Sequence, residues 1–553
     1  MSKYVYGIDL GTTYSCIAYQ DEDGRPTVVK NMDTNSDTTP SVVQWGEDGT
    51  VIVGQEAKDT AVLEPERTSA FVKRLIGKSP VAITIDGKDI SPTEVSSYTL
   101  RELAKQAGAQ LDDEVKDVVI TCPAYFGEAE RTATKQAGEI AGLNVLAIIE
   151  EPTAAAICYG VTRADEDKNV LIYDLGGGTF DITVMKITNG EIRVITTEGD
   201  HDLGGKNWDD ALSGVMVDKF LESSGYDGDP FTDEDNNEFL QDLALKAEKM
   251  KQALSNRTTA KTILDYNGNH ARIEVSREEF EDVTKDLLDT TVSLTRKAMA
   301  DAEAEGVKVD EILLVGGSTK MPQVQEMIKR EFDIETKNFE PDEAVAKGAA
   351  IFAILQATKQ SEVKENEVKE QDAEGNDVAR DTTTGETRIL PTIGGGSVMP
   401  TNITADTKVI SVSTKSFGIK ALNPETNQLL IFNIIKKNDE LPARATQTFA
   451  TQEDNQPLAA IELYETPEKV DSYEVDEDLK LGDAELILPP NTPANSPIEI
   501  TLDLQEDGTI NLHAQKPDTG EKVDAVFKSE NVMTQEEIEE AKARVSTGLQ
   551  MTM

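Results

Sequence analysis

Apolar and polar positions alternate with two different periods along the first 355 residues. Short apolar runs of strand length stand between longer stretches in which apolar residues recur every three or four positions, the pattern of amphipathic helices. Strands are predicted over residues 4–9, 115–122, 169–173, 180–187 and 311–315, and helices over 92–111, 128–141, 235–254 and 277–304. Their alternation predicts an α/β domain. The periodicity fades near Gln356. Residues 359–396 are rich in Glu, Lys, Asp, Thr and Gly and nearly free of large apolar side chains, which predicts a flexible acidic linker. The glycines at 394–396 follow no apolar strand and precede no Lys-Ser/Thr pair, so they read as spacer and not as a phosphate loop. From Lys408 to about Phe527 the texture is all-β: VISVST, LLIFNII, AAIELYE, IEITLDL and INLHAQ are short strands set apart by Pro, Asn, Asp and Gly, which predicts a β-sandwich. Thr534-Gln-Glu-Glu537 then opens a last short helix as a capping box. The expected division is 1–358, 359–407, 408–530 and 531–553.

A chain of 553 residues exceeds what one core organises, in keeping with several domains. Its 54 basic against 103 acidic side chains leave a formal charge of −49. Such a surface repels phosphate backbones and anionic lipid, which argues against nucleic acid and membranes as partners. The acidity reads as a solvated surface, with salt adaptation the weaker alternative. Cys16, Cys122 and Cys158 lie far apart in apolar stretches and read as reduced core residues. His201, His270 and His513 have no Cys or second His at ligand spacing, which argues against a structural zinc site. The opening MSKYVYGIDLG has no secretory pattern and no apolar run reaches about 18 residues, so a cytoplasmic protein is expected.

The candidate chemistry lies in a near-repeat. Asp9-Leu-Gly-Thr-Thr13 sits between the strands YVYGI and YSCIAY, and Asp174-Leu-Gly-Gly-Gly-Thr179 between NVLIY and FDITVMKI. Each reads as a hairpin turn with a carboxylate at its entrance. Glycines there let successive N–H groups point into one concavity suited to phosphate oxygens, and threonine hydroxyls add donors. The aspartates would repel phosphate directly; they suit a hydrated Mg2+ and an attacking water. Asp181, two residues beyond Thr179, is expected on the same strand face as that threonine. One such turn is an ordinary hairpin. Two in matching context imply two similar lobes, each giving a phosphate loop to a central cleft. LLVGGSTKMP at 313–322 adds strand, Gly316-Gly317-Ser318 and helix, suited to adenosine and ribose. GxxxxGK[ST] does not occur, so this is no P-loop protein.

Motifs along this whole region resemble the 70-kDa heat-shock (DnaK-type) chaperones: Asp9 to Tyr14, VKRLIG (72–77), CPAYFGEAER (122–131), EEPTAAAICYG (150–160), DLGGGTFD (174–181), LGGKNWD (203–209), VGGSTKMP (315–322) and PDEAVAKGAA (341–350). The resemblance continues more weakly through KKNDELP (436–442) and ATQEDNQ (450–456). It implies the actin/hexokinase/heat-shock ATPase fold followed by a β-sandwich that clamps peptide, in an ATP-dependent chaperone using ATP/ADP, Mg2+ and K+. Carried over residue by residue, it implies nucleotide contacts at Gly11, Thr12, Thr13, Tyr14, Lys73, Gly177, Gly178, Thr179, Gly204, Gly205, Glu248, Lys251, Ser255, Gly316, Gly317, Ser318, Lys320 and Asp342. Lys73 falls on the family's catalytic lysine, with Glu151, Asp174, Asp181 and Thr179 beside it. Asp9, Asp174 and Asp181 fall around the metal, held mainly through water, and Tyr14 on a K+ carbonyl site. Pro123 and Arg131 match an interdomain signalling pair, and Ile419, Leu422, Phe449, Gln452, Ala459 and Ile461 the peptide site. The implied partners are unfolded or extended apolar peptides, a dedicated J-domain co-chaperone and a nucleotide exchange factor.

Several positions depart from the family pattern. Ala147 stands where the family has arginine, Glu150 where it has asparagine, and Ser411 where its linker segment ends in aspartate. These positions serve J-domain stimulation and domain docking in the family, so weak coupling of nucleotide to peptide is expected, unless Glu150, Lys415 or the acidic insert supplies a substitute contact. Lys320 replaces an arginine that stacks on adenine, and an ammonium stacks less well than a planar guanidinium. Ala459 replaces a common valine and would widen the peptide pocket, while Phe449 and Ile461 read equally well as sandwich core. Beyond Thr534 there is room for only the first helix of the family's lid. Two other classes compete. A small-molecule kinase of the actin fold has no use for a β-sandwich. A nucleotide-gated binding protein with little turnover has no use for Lys73, Asp9, Asp174, Asp181 and Thr179 together.

Overall fold

The computed structural model describes residues 3–162, 167–188, 190–233, 236–364, 366–371, 377–385, 387–391, 407–505, 508–527 and 532–548. Strand β1 (Tyr6–Asp9) turns back on β2 (Tyr14–Gln20), and α1 (Pro92–Leu111), β3 (Asp117–Cys122), α2 (Glu128–Ile140) and β4 (Asn144–Glu150) follow. They build one sheet in the order β4-β3-β1-β2, with β1, β3 and β4 parallel. Helix α3 (Glu151–Thr162) starts at the residue after β4. The second half repeats the plan. Strands β5 (Lys168–Leu175), β6 (Phe180–Thr188) and β7 (Glu191–Asp200) form a meander. After α4 (Gly205–Ser224) and α5 (Asn237–Asn256), β8 (Glu311–Val315) and β9 (Glu335–Asn338) complete the order β9-β8-β5-β6-β7.

Helix α6 (Ala344–Ser361) joins the halves. Its run AVAKGAA is small because the backbones touch: a Cβ on Gly348 would lie 1.7 Å from the Ala154 carbonyl oxygen, and one on Gly7 2.0 Å from the Ala350 nitrogen. The helix expected over 277–304 breaks at Thr284 into Arg277–Val283 and Lys285–Ala304. There the buried threonine hydroxyl donates back to the Phe280 carbonyl at 2.8 Å, a bond that competes with helix geometry.

Within the stretch 359–396, expected as a flexible linker, the described residues include regular structure. Helix α6 runs on to Ser361, and β10 (Glu367–Gln371), β11 (Asp377–Asp381) and β12 (Thr387–Ile389) make an antiparallel meander. Its apolar core is slight, with Val378, Ala379 and Leu390 buried. Arg388 anchors it to the end of α6 by donating to the carbonyls of Gln360 and Glu362 and to the Glu367 carboxylate. Cross-strand pairs such as Lys369–Asp377 and Arg380–Glu370 take the place of apolar alternation, so the hydropathy pattern hides the sheet. The glycines at 394–396 lie outside the described residues.

Strand β13 (Lys408–Ile410) adds to the second sheet, parallel to β7. The C-terminal sandwich follows: β14 (Ser416–Leu422), β15 (Leu429–Ile435), β16 (Ala443–Ala450), β17 (Leu458–Thr466), β18 (Ser472–Glu474), β19 (Lys480–Ile487), β20 (Pro497–Leu504), β21 (Ile510–Gln515) and β22 (Lys522–Phe527). One sheet runs β18-β15-β14-β17-β19 and the other β16-β20-β21-β22, closing on Leu463, Ile500, Leu502 and Leu512. Helix α7 (Gln535–Gly548) opens at the expected capping box, where the Thr534 N–H donates to Glu537 at 2.7 Å. It lies on the N-terminal domain. Ile538, Ala541 and Val545 pack with Trp45, Val95 and Tyr98, and Arg544 forks onto Glu94 at 2.8 and 2.9 Å. Among the described residues no helix is long and apolar enough to cross a membrane.

Candidate active site

Both aspartate turns are antiparallel hairpins, with Asp9 opposite Cys16 and Asp174 opposite Asp181. The strand ends bring the turns face to face across a cleft of ≈ 820 Å³. Approach is so close that a Cβ on Gly177 would lie 1.8 Å from Thr13 Oγ1, and one on Gly178 2.3 Å from Thr12 Cγ2. The Gly-Gly-Ser turn after β8 supplies a third wall. Gly316 holds φ at 82°, and a Cβ there would lie 2.4 Å from the Leu175 carbonyl oxygen. Every nucleotide contact expected from the sequence lines this cleft except Gly178, packed against Thr12, and Gly204, packed against the Gly178 backbone.

Lys73 enters on a 3-10 turn, Val72–Leu75, and is buried against Glu151 at the start of α3. Burial opposes its charge, but Glu151 and Asp9 outweigh that and hold the ammonium above its ordinary value. Burial first, then Glu151, pushes the Asp9 carboxyl up to about 7. The same two causes lift Asp174 and Asp181 well above the carboxylate range. Asp9 accepts from Thr121 Oγ1 at 3.0 Å, and Asp181 from the Ala124 N–H at 3.1 Å. Asp181 Oδ2, Thr13 Oγ1, Thr153 Oγ1 and the Tyr125 hydroxyl are buried without a partner among the described residues. Unmet buried polar atoms cost free energy; of these four only Thr13 lines the cleft, where its hydroxyl marks a place for ligand or water. This excess of buried carboxylate fits a hydrated divalent cation. Among the described residues no three His, Cys, Asp or Glu side chains stand close enough to grip an ion directly, so waters and phosphate oxygens would complete its shell.

At the other end Lys320 pairs with Asp342 and is not free to lie flat on a base. Lys251 pairs with Asp209 at 2.8 Å, and Ser255 donates to the Lys251 carbonyl at 3.2 Å. Glu248 serves the lobes as well as the cleft: it accepts from the Tyr14 hydroxyl at 2.9 Å and from Lys58 at 2.5 Å. Lys58 and Arg74 escaped the sequence reading. Arg74 donates to the Gly178 carbonyl at 2.7 and 3.0 Å and to Asn207 Oδ1 at 2.7 Å, tying the Lys73 turn to the second aspartate turn. Its signal was its place directly after Lys73.

Pro123 and Arg131, the pair expected to signal between domains, do not line the cleft. The Phe126 N–H donates to the Pro123 carbonyl at 3.2 Å. Arg131 is buried, donating to the Phe126 carbonyl at 2.9 Å and to Glu150 Oε1 at 2.8 Å. The other Glu150 oxygen accepts from Ser411 Oγ at 3.2 Å. Beside it Val409 pairs with Ile192 in the sheet, Lys437 meets Glu198 at 2.8 Å and Arg193 meets Glu440 at 2.7 Å. The linker strand is therefore docked, and the substitute contact offered as the alternative to weak coupling is present: an acid on the N-terminal domain accepts from a hydroxyl on the linker. In the sandwich, Ile419, Ala459 and Ile461 belong to the buried core, with Phe449 half-buried against it. Leu422 ends β14, and Gln452 is exposed just beyond β16.

A family model described as Hsp70 protein matches residues 5–430 and 393–549. Chaperone protein DnaK of Thermotoga neapolitana is 36% identical over 545 residues, covering 97% of this chain and 82% of that protein. Its Thermotoga maritima counterpart gives the same figures, and that of Thermosipho melanesiensis is 34% identical over 544 residues with the same coverage. Members of this family bind ATP or ADP with Mg2+, hydrolyse ATP, and act with co-chaperones on unfolded peptides. The two-lobed cleft with its paired aspartate turns, the C-terminal sandwich and these relatives agree: the chain belongs to the Hsp70 family of ATP-dependent molecular chaperones.

Proposed function

We propose that hydrolysis is carried by Lys73, Glu151, Asp174, Asp181 and Thr179, and that Glu150 links this chemistry to the peptide-binding sandwich. The Lys73 ammonium, held charged by Glu151, faces charge developing on the terminal phosphate. Asp181 does not itself line the cleft, but it stands opposite Asp174 in the hairpin with Oδ2 unpartnered, and would orient the attacking water through one intervening water. Thr13 and Thr179 hydroxyls and the glycine N–H groups hold phosphate oxygens. Bound Mg2+ supplies charge neutralisation at the phosphates, with Asp9, Asp174 and Asp181 to hold its waters. A K+ near the Tyr14 carbonyl belongs to the same reading. Domain boundaries near residues 358, 407 and 530, a peptide site around Ile419, Leu422, Phe449, Gln452, Ala459 and Ile461, and a cytoplasmic location complete it. A J-domain co-chaperone and a nucleotide exchange factor are its partners, the former matched to Glu150.

The observation that carries the coupling is that Glu150 and Glu151 are consecutive residues with opposite loyalties. Glu150 accepts from the linker and from Arg131, while Glu151 pairs with Lys73. Timing fluorescent-peptide release with ATP and then with ADP tests it. Coupling of usual strength makes the rates differ about 5- to 150-fold. Equal rates in the two nucleotides would overturn the reading.

A further inference from the structure

ADP and phosphate are formed in one cleft, and a second chamber adjoins it at one end. This smaller cavity, ≈ 50 Å³ and partly open to solvent, shares Thr12, Thr13, Lys206, Asp209 and Glu248 with the main cleft. It therefore adjoins the phosphate loops and not the Gly316 wall. Two contacts between the lobes bracket it. On one side Lys58, from the short helix Gln55–Thr60, meets Glu248 of α5. On the other, Lys206 of α4 lies 5.5 Å from the centre of the Phe71 ring.

Phe71 is held at φ 58°, at the start of the turn that carries Lys73. A bulky side chain rarely takes that conformation, and such strain persists where surrounding structure imposes it, often at functional positions. Where the two cavities meet, Thr13 Oγ1 and Asp209 Oδ1 are buried without partners among the described residues. By volume the chamber admits about three or four waters.

We propose that Phe71 and Lys206 form a gate between the lobes, through which inorganic phosphate leaves this chamber while ADP stays in the main cleft. The proposal rests on hydrolysis taking place in that cleft. The walls suit an anion in transit. Lys58 and Lys206 attract it, but each already has a carboxylate, Glu248 and Asp210, so neither holds it tightly. Asp209, paired with Lys251, adds negative charge that discourages lingering. Opening requires only that the ring swing away from Lys206; the lobes, tied by Arg74 and Lys58, need not part.

The full chain is tested in single turnovers. Chemical quench reads ADP formation, a fluorescent phosphate-binding reporter reads phosphate release, and labelled ADP reads nucleotide release. Phe71→Gly removes the ring, and glycine takes the positive φ freely. Lys206→Met removes the cation and keeps the backbone bond from residue 206 to the Gly177 carbonyl, 2.8 Å. Both should shorten the lag between ADP formation and phosphate release about two- to fivefold, the effect of losing one partly exposed cation–π contact, with ADP release unchanged. If Phe71→Gly slows ADP formation through Lys73, Lys206→Met alone decides. An unaltered lag in Lys206→Met, no lag in the unmodified chain, or phosphate and ADP leaving together would overturn the gate. Absence of ADP formation in the unmodified chain would overturn the reading of the cleft, and the gate with it.

Discussion

Replacing Ser411 by alanine removes one donor from the docked linker and strips no buried charge. Glu150 keeps its 2.8 Å partner Arg131, and the Ser411 carbonyl still accepts from the Leu441 N–H at 2.9 Å. What is lost is the 3.2 Å bond from Ser411 Oγ to the Glu150 carboxylate. Hydrogen bonds to charged groups contribute about 1.5–3 kcal/mol, and at this length the lower figure applies. About 1.5 kcal/mol corresponds to a roughly tenfold fall in the ratio of docked to undocked linker. Hydrogen exchange reads that ratio directly. The Lys408 N–H donates to the Gly190 carbonyl at 2.9 Å, so Lys408 and, two residues on, Ile410 turn their amides toward β7; both should exchange about tenfold faster if their opening is undocking from β7. The ratio of peptide-release rates in ATP and ADP should fall in parallel. Glu150→Ala is the harsher variant: it leaves Arg131 buried and unpaired, which costs about 3–5 kcal/mol and threatens the fold itself. Unchanged exchange at Lys408 and Ile410 in Ser411→Ala, with an unchanged release ratio, would refute the assignment of docking to this contact.

Asp9→Asn and Asp174→Asn should overlap in their effects on turnover, with a double-mutant coupling of about 0.5–3 kcal/mol, because both carboxylates serve one site; additive losses would assign them to separate sites. Glu465 of β17 lies against Gly127 at the start of α2 and faces Lys415, Glu130, Glu128 and Arg131; burial pushes its carboxyl up to about 7. The docked state thus holds a proton that the undocked carboxyl gives up, so this support is complete below the ordinary carboxylate value and is lost as pH rises through about 7. Trp45 fluorescence, which senses α7 through Ile538 and Val545, should report weaker docking over that range, and Glu465→Gln should flatten the dependence. Gly127→Ala adds a Cβ 2.7 Å from Glu465 Oε1 at an unstrained φ of −76°. Because that side chain can swing, docking should fall by about 1 kcal/mol, the low end of overpacking costs; Trp45 fluorescence identical to the unmodified chain would contradict the wedge.

Local signals were legible where residue and neighbours act within a few positions. Helix α1 was read to the residue, because Ser91 caps it by accepting from the Glu94 N–H, Pro92 opens it and Asp112 ends it in the left-handed conformation. The two aspartate hairpins were legible because strand, turn and strand are contiguous. What escaped depends on partners far away in sequence. Lys58 meets Glu248 across 190 positions and Arg74 meets Gly178 across 104, while Glu150 was legible as a substitute docking contact but not its partner Ser411, 261 positions away. The meander β10–β12 escaped for another reason: ion pairs across its strands leave no hydropathy alternation to read. The seat of α7 on α1 and α2 was likewise invisible, since Ile538, Ala541 and Val545 would suit any apolar surface.

Steady-state ATP turnover with Mg2+, measured with and without an unfolded-peptide library, tests the assignment of coupled hydrolysis to this cleft most directly. The unmodified chain should turn over ATP and do so faster with peptide. Lys73→Ala should still bind nucleotide but hydrolyse it about 10²–10³-fold more slowly, the usual effect of losing one well-placed electrostatic contact. Turnover in Lys73→Ala within about twofold of the unmodified chain, far short of that loss, or turnover indifferent to peptide, would contradict it.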